Sequence, residues 1–273
     1  MFETDIRQPV AAGGFYPADP DSLKSQIKDF LDQSEYYQLP GIKAIIAPHA
    51  GYIYSGQVAA DAYRQMQDQQ YDRVVVIAPS HSEYFNHISV YPGQAYATPL
   101  GKLDIDHESA ELLYKESSFI KPSARGHNQE HSLEVQLPFL QVVLGDTKII
   151  PMVIGNQDPS LVQELAGAIS GVFKGKNILI VASTDLSHYH PYQEAVSLDN
   201  QVKKLVANFD TEGLAEKFYS QDIEMCGGGP AITAMMAARN LGATKVKVIT
   251  SLNSGDVTGD ESAVVGYLSA VFY

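Results

Sequence analysis

Apolar positions along this chain alternate between two rhythms. Within residues 21–33, Leu23, Ile27, Phe30 and Leu31 recur at helical spacing behind an Asp/Ser cap, and the short apolar run KAIIA follows at 43–47. The same pairing repeats down the chain. Residues 55–66 read as helix and RVVVIA (73–78) as strand. Residues 130–144 read as helix with a kink or break near Pro138, and 149–154 as strand. Helix 161–173 then precedes strand 178–182. Two helices, 192–209 and 227–241, and strands near 246–250 and 263–272 complete the pattern. Apolar strand runs separated by helical segments of 10 to 20 residues predict an α/β fold with a central, largely parallel mixed sheet flanked by helices. No Pro/Gly/Ser-rich linker and no repeat divides the chain, so residues 1–273 are expected to form one domain.

Composition narrows the setting. A 45% hydrophobic content with 21 Gly and 14 Pro describes an ordinary globular chain. No apolar stretch approaches the roughly 20 residues of a membrane span, and MFETDIRQPV lacks a basic flank followed by an apolar run. A single cysteine, Cys226, excludes an intrachain disulfide and fits a reducing compartment, so a cytoplasmic location is expected. Nineteen Lys and Arg against 32 Asp and Glu give a net charge of −13 with no basic cluster, which disfavours nucleic acid as a partner.

In open parallel α/β sheets ligands bind beyond the carboxyl ends of the strands, so residues just after each strand run carry the chemistry. KAIIAP is followed by His49, VVVIAP by His81, and ILIVAS by Asp185 and His188. Drawn from three strands, these side chains are expected to meet above one sheet edge. Cys226 precedes three glycines and Pro230, a residue suited to a first helical turn. A thiol at that helix N-terminus is expected to have a lowered pKa. The segment HNQEH (127–131) matches the inverted zinc-protease signature H-x-x-E-H, but Gly126 before it suggests a loop. Glu130 or Ser132 is instead expected to cap the following helix, with His131 at most a pocket-wall residue. On this reading a Glu130→Gln change leaves metal content unaltered.

Seven segments in order, AGGFYP, APHAGYIYSG, APSH, TPLG, EHSLEVQLPF, STDLSHY and MCGGGP, resemble the Memo family (AmmeMemoRadiSam system protein B) over essentially the whole chain. The resemblance implies a fold related to the catalytic subunits of class III extradiol dioxygenases, which hold Fe(II) with two His and one Glu. By these motifs His49 and His81 correspond to the imidazole ligands, Cys226 to the occupant of the carboxylate position, and Asp185 with His188 to an acid/base corner. His131 is implied as a neighbour of the site. The family implies Fe(II) or Cu as metal and, in prokaryotes, association with radical SAM and AMMECR-type proteins. Two imidazoles with a soft thiolate make Zn acceptable as well.

Three functions are compatible with these residues. The first is metal-dependent redox or O₂ chemistry on a small, aromatic substrate, with His188 moving a proton and Asp185 accepting from its second ring nitrogen. The second is a metal- or peptide-binding adaptor without turnover. The third is a metal-free hydrolase with Cys226 as nucleophile and His188 or His81 as base, which leaves the other strand-end histidines without a task.

Overall fold

The computed structural model describes residues 5–273. Its strands are β1 (Ile6–Arg7), β2 (Ala44–Ala47), β3 (Arg73–Pro79), β4 (Ile88–Val90), β5 (Ala95–Thr98), β6 (Gly101–Asp104), β7 (Ile120–Pro122), β8 (Ile149–Ile154), β9 (Ile178–Ser183), β10 (His188–His190), β11 (Val246–Asn253) and β12 (Val264–Phe272). The helices are α1 (Pro20–Gln33), α2 (Tyr52–Tyr63), α3 (His107–Glu116), α4 (Leu137–Leu144), α5 (Pro159–Val172), α6 (Tyr192–Ala207), α7 (Thr211–Tyr219), α8 (Gly228–Asn240) and α9 (Ser254–Thr258).

One mixed sheet runs in the order β10-β12-β2-β9-β3-β8-β4-β7, with β11 on the other side of β12. At its centre β2, β9, β3 and β8 are mutually parallel, with Ala47 opposite Ser183 and Ile77 opposite both Ala182 and Met152. The margins are antiparallel, β12 to β2 and β4 to β8. Side chains alternate between two cores, as strand geometry requires. Ile46, Val75, Ile77, Ile150 and Met152 pack with α5 and α8. Val74, Val76, Ala78, Leu179 and Val181 pack with α1, α2 and α4. Both faces are covered, which is why the central strands read as unbroken β-branched runs with no polar alternation.

The main elements lie where the hydrophobic pattern places them. The 130–144 segment differs: a 3₁₀ turn spans Glu134–Gln136, and Pro138 lies in the first turn of α4. Proline is tolerated there because its missing N–H has no intrahelical acceptor, so it starts the helix and does not kink it. The short elements β4 to β7, α3 and α7 were not anticipated.

A small three-stranded sheet, β1-β5-β6, ties the N-terminal arm to the body. The Arg7 guanidinium donates to the carbonyls of His127 (3.0 Å) and Glu130 (2.6 Å) and pairs with the buried Glu134. Glu134 in turn accepts from the amides of Val10 and Ala11, both at 2.9 Å, and from the Tyr16 hydroxyl. A buried charge fully paired in this way holds the 127–134 loop in register with the strand ends.

Candidate metal centre

His49 follows β2, His81 follows β3 and Asp185 follows β9, three adjacent parallel strands, so their side chains share one end of the sheet. Cys226 reaches the same place from the turn before α8. Donor atoms of His49, His81 and Cys226 all lie within 4.8 Å of one another. The thiol faces the histidines and not the core.

Hydrogen bonding sets which nitrogen of each ring points inward. His49 Nδ1 is 2.9 Å from Ser183 Oγ, which donates its own proton to the Ser132 carbonyl (2.6 Å) and also accepts from Gln136 Nε2 (2.8 Å). With its proton committed, the hydroxyl is an acceptor toward His49, so Nδ1 carries the hydrogen and Nε2 carries the lone pair. That Nε2 stands 3.1 Å from Cys226 Sγ. Burial holds the His49 pKa well below the usual imidazole value, reinforced by His81.

His81 is oriented in the same sense. Glu130 accepts from its Nδ1 at 2.8 Å and from its backbone N–H at 2.6 Å, which leaves Nε2 as the donor atom. The hydrogen bond to Glu130 raises the His81 pKa against burial. Burial works to raise the Glu130 carboxyl, but the bonds from His81 and Ser132 outweigh it and hold the pKa at about 2. His81, Glu130 and His131 also form a compact group of metal-type donors. There the Glu130 carboxylate already accepts from His81 Nδ1 and from the amides of His81 and Ser132, so it serves to orient the His81 ring.

His131 stacks between Phe15 (ring centroids 4.2 Å apart) and His81 (4.9 Å), forming pocket wall as expected. His127 is elsewhere: fully buried, bonded to the Tyr96 hydroxyl and the Ser89 carbonyl, with its pKa lowered by burial to about 3. The i and i+4 histidines of HNQEH therefore face different surroundings, and the protease-like signature is a coincidence of spacing.

Two expectations require correction. Asp185 does not accept from His188. Its Oδ1 accepts from the His49 amide at 2.7 Å, its Oδ2 is 4.0 Å from His49 Nε2, and its backbone N–H donates to Cys226 Sγ at 3.2 Å. The β9-to-β10 turn carries Asp185 inward toward β2, while His188 Nδ1 bonds the Leu186 carbonyl at 2.8 Å. A carbonyl can only accept, so this bond still fixes the His188 tautomer and frees Nε2. The second correction concerns the thiol. Burial pushes the Cys226 pKa above its usual value, and the neighbouring Asp185 charge adds to this, despite the helix N-terminus. Desolvation outweighs the dipole here. A free nucleophilic thiolate is accordingly disfavoured, and the imidazole touching the thiol is His49, not His188. Burial also raises Asp185, to about 7.

Two cavities flank the cluster. One, of about 650 Å³, is lined by Phe15, His49, His81, His131, Asp185 and Tyr267 among others. The second, of about 670 Å³, reaches Cys226 from the side of Gln157, Tyr219 and Glu224. His188 lines both. Sequence reasoning missed Ser183 and Gln136, and it read Glu130 as a helix cap outside the metal site and not as the partner of His81. A usable signal existed for the first two: Ser183 ends the apolar run ILIVAS, and Gln136 interrupts the apolar face of SLEVQL. A polar residue buried in such a run needs a partner.

Fold and site together define an α/β protein with a strand-end His/His/Cys donor cluster. A family model described as Memo-like protein matches residues 7–271, and the chain belongs to the Memo family. It is 40% identical to a MEMO1 family protein of Aquifex aeolicus, over 98% of this chain and 99% of that one. It is 39% identical to one of Thermotoga neapolitana (97% and 99%) and 38% identical to one of Sulfurisphaera tokodaii (98% and 99%). The crystal structure of the uncharacterized Escherichia coli K12 protein JW3007 has the same fold, with a TM-score of 0.52 at 14% identity, covering 85% of this chain and all of that one. Among the described residues no helix is long and apolar enough to cross a membrane.

Proposed function

We propose that this protein binds a transition-metal ion, Fe(II) or Cu with Zn also acceptable, through His49 Nε2, His81 Nε2 and Cys226 Sγ, for redox or O₂ chemistry on a small substrate. The observation that carries this reading is the pair of fixed tautomers: Ser183 and Glu130 turn the inward nitrogens of both rings into lone-pair donors beside the thiol. Imidazole and thiolate are the donor types these ions take, and three protein ligands leave room for exogenous ones. When bound, such an ion supplies Lewis acidity and, as iron or copper, redox capacity. The thiolate in place of a carboxylate is a soft, oxidisable ligand, so ring cleavage of the extradiol type does not carry over from fold alone.

The remaining roles fall to the chain itself. Phe15, Tyr54 and Tyr267 give the 650 Å³ cavity aromatic walls that suit a small aromatic substrate. His188, with Nδ1 committed to Leu186, offers Nε2 as a proton acceptor at the cavity wall, and its pKa, lowered by burial, keeps the ring neutral at physiological pH. Asp185, raised by burial to about 7, lies beside His49 and Cys226. Radical SAM and AMMECR-type proteins in the cytoplasm are the partners this family reading implies.

The test is His188→Ala. Bound metal should be retained, while oxygen uptake in a screen of catechols and related aromatics with Fe(II) should fall by about 10²-fold or more, the usual weight of a proton-transfer group. Metal retention with no oxygen uptake by the wild type, and loss only of partner binding in the variant, would favour the adaptor.

A further inference from the structure

The turn that presents Cys226 is held from outside by a side chain distant in sequence. Gln157, in the loop after β8, donates from Nε2 to the Cys226 carbonyl at 2.8 Å and accepts at Oε1 from the Gly229 N–H at 2.7 Å. Gly229 lies in the first turn of α8, where N–H groups have no intrahelical acceptor, and the N-cap residue Gly227 has no side chain to supply one. The carbonyl and N–H that Gln157 engages are three residues apart, the pair that would bond each other in a closed turn. One primary amide, both donor and acceptor, takes the place of that bond. The fit is close: a Cβ on Gly229 would lie 3.0 Å from Gln157 Oε1 and 3.1 Å from its Cβ.

On the other side the same turn is tied to the end of β9. Gly227 N–H donates to Thr184 Oγ1 at 2.9 Å, and the Cys226 N–H to the Asp185 carbonyl at 3.3 Å. Cys226 is thus gripped between the loops following β8 and β9, and only the β9 grip would persist without Gln157. We propose that Gln157 is a positioning residue: its amide bridge holds Cys226 Sγ at the distance from His49 and His81 at which the three donors share one ion. This rests on the metal-binding reading above, and the experiment separates the two.

Co(II) alone is the probe. In the wild type, Co(II) titration should produce a thiolate-to-cobalt charge-transfer band in the near ultraviolet together with visible ligand-field bands. Gln157→Ala should bind Co(II) about tenfold more weakly or worse, as expected for loss of a partner that orients a ligand, with a weaker or shifted thiolate band. Gln157→Glu, which keeps the acceptor toward Gly229 but sets a carboxylate oxygen against the Cys226 carbonyl, should show the same band defect. This variant preserves side-chain volume if the alanine variant folds poorly. In the metal-free proteins, alkylation of Cys226 by iodoacetamide should be faster in both variants, because the thiol is no longer held against His49. Wild-type affinity, band and alkylation rate in folded Gln157→Ala and Gln157→Glu would overturn the positioning role alone. A wild type that binds Co(II) without any thiolate band would overturn the metal-binding reading and this role with it.

Discussion

At the scale of single residues, the site is governed by which protons are already committed. Glu130 holds both the Nδ1 and the main-chain N–H of His81, and these bonds argue against the expectation that Glu130→Gln leaves the metal untouched. An amide has one acceptor oxygen for two donors, and its NH₂ would confront one of them. Metal affinity in Glu130→Gln should fall by about 10- to 100-fold, measured by competition with a chelator. Unchanged affinity would mean that His81 is oriented by something other than this carboxylate.

The same commitments set the pH dependence. Cys226, raised by burial, carries its proton at neutral pH and must lose it to ligate, while His49, held well below the usual value, has none to lose. Metal binding at pH 8 should release about one proton, and apparent affinity should rise about tenfold per pH unit there. The release should grow as pH falls through about 7, where Asp185, raised by burial, takes up a proton, and the bond from His81 to Glu130 raises the His81 pKa in the same sense. Calorimetry in buffers of differing ionisation enthalpy measures the count directly. Release that does not depend on Cys226, judged with Cys226→Ala, would exclude the thiol as a ligand.

At the scale of elements, the hydrophobic rhythm was sufficient to find β2, β3, β8 and β9 and, with them, the positions of His49, His81 and Asp185. A strand buried on both faces announces itself as an apolar run, and its end is visible where polar residues resume. What the rhythm cannot encode is the path of a turn. Asp185 and His188 are three residues apart, yet one turns toward β2 and the other toward the Leu186 carbonyl, as a result of main-chain geometry between β9 and β10. The small elements β4 to β7 were hidden because their three or four residues mix polar and apolar types, unlike the equally short but wholly apolar AIIA of β2.

The glycine run that opens α8 shows the reverse, a local signal with a long-range cause. At Gly227 a Cβ would stand 2.2 Å from the Ser183 carbonyl oxygen and 2.8 Å from the Thr184 Cβ, so the turn can approach the end of β9 only without a side chain. Gly227→Ala should therefore destabilise the fold by about 1–3 kcal/mol, the typical cost of overpacking, and pull Cys226 away from His49. Denaturant unfolding checks the first effect. An alanine variant as stable as the wild type would show that the turn has slack.

At the scale of the whole molecule, the site is a meeting of distant parts. His49 and Cys226 are separated by 177 residues and touch at 3.1 Å. β2 and β3 deliver His49 and His81, the turn before α8 delivers Cys226, and the N-terminal arm, through Arg7 and Glu134, steadies the loop that carries Glu130 and His131. The motifs around His49, His81 and Asp185 were legible because each follows an apolar strand run, and MCGGGP because it leads into a helix. The roles of Ser183, Gln136 and Gln157 were not, because an apolar context can mark Ser183 and Gln136 as buried polar residues but no spacing says which group, tens of residues away, each one contacts. The central claim is that this assembly holds one ion by two imidazoles and one thiolate. X-ray absorption at the metal edge of protein loaded with Fe(II) under anaerobic conditions tests it most directly. The account predicts one sulfur scatterer together with two imidazole nitrogens at a shorter distance, with the sulfur contribution lost in Cys226→Ala. A first shell of nitrogen and oxygen alone in the wild type would contradict it.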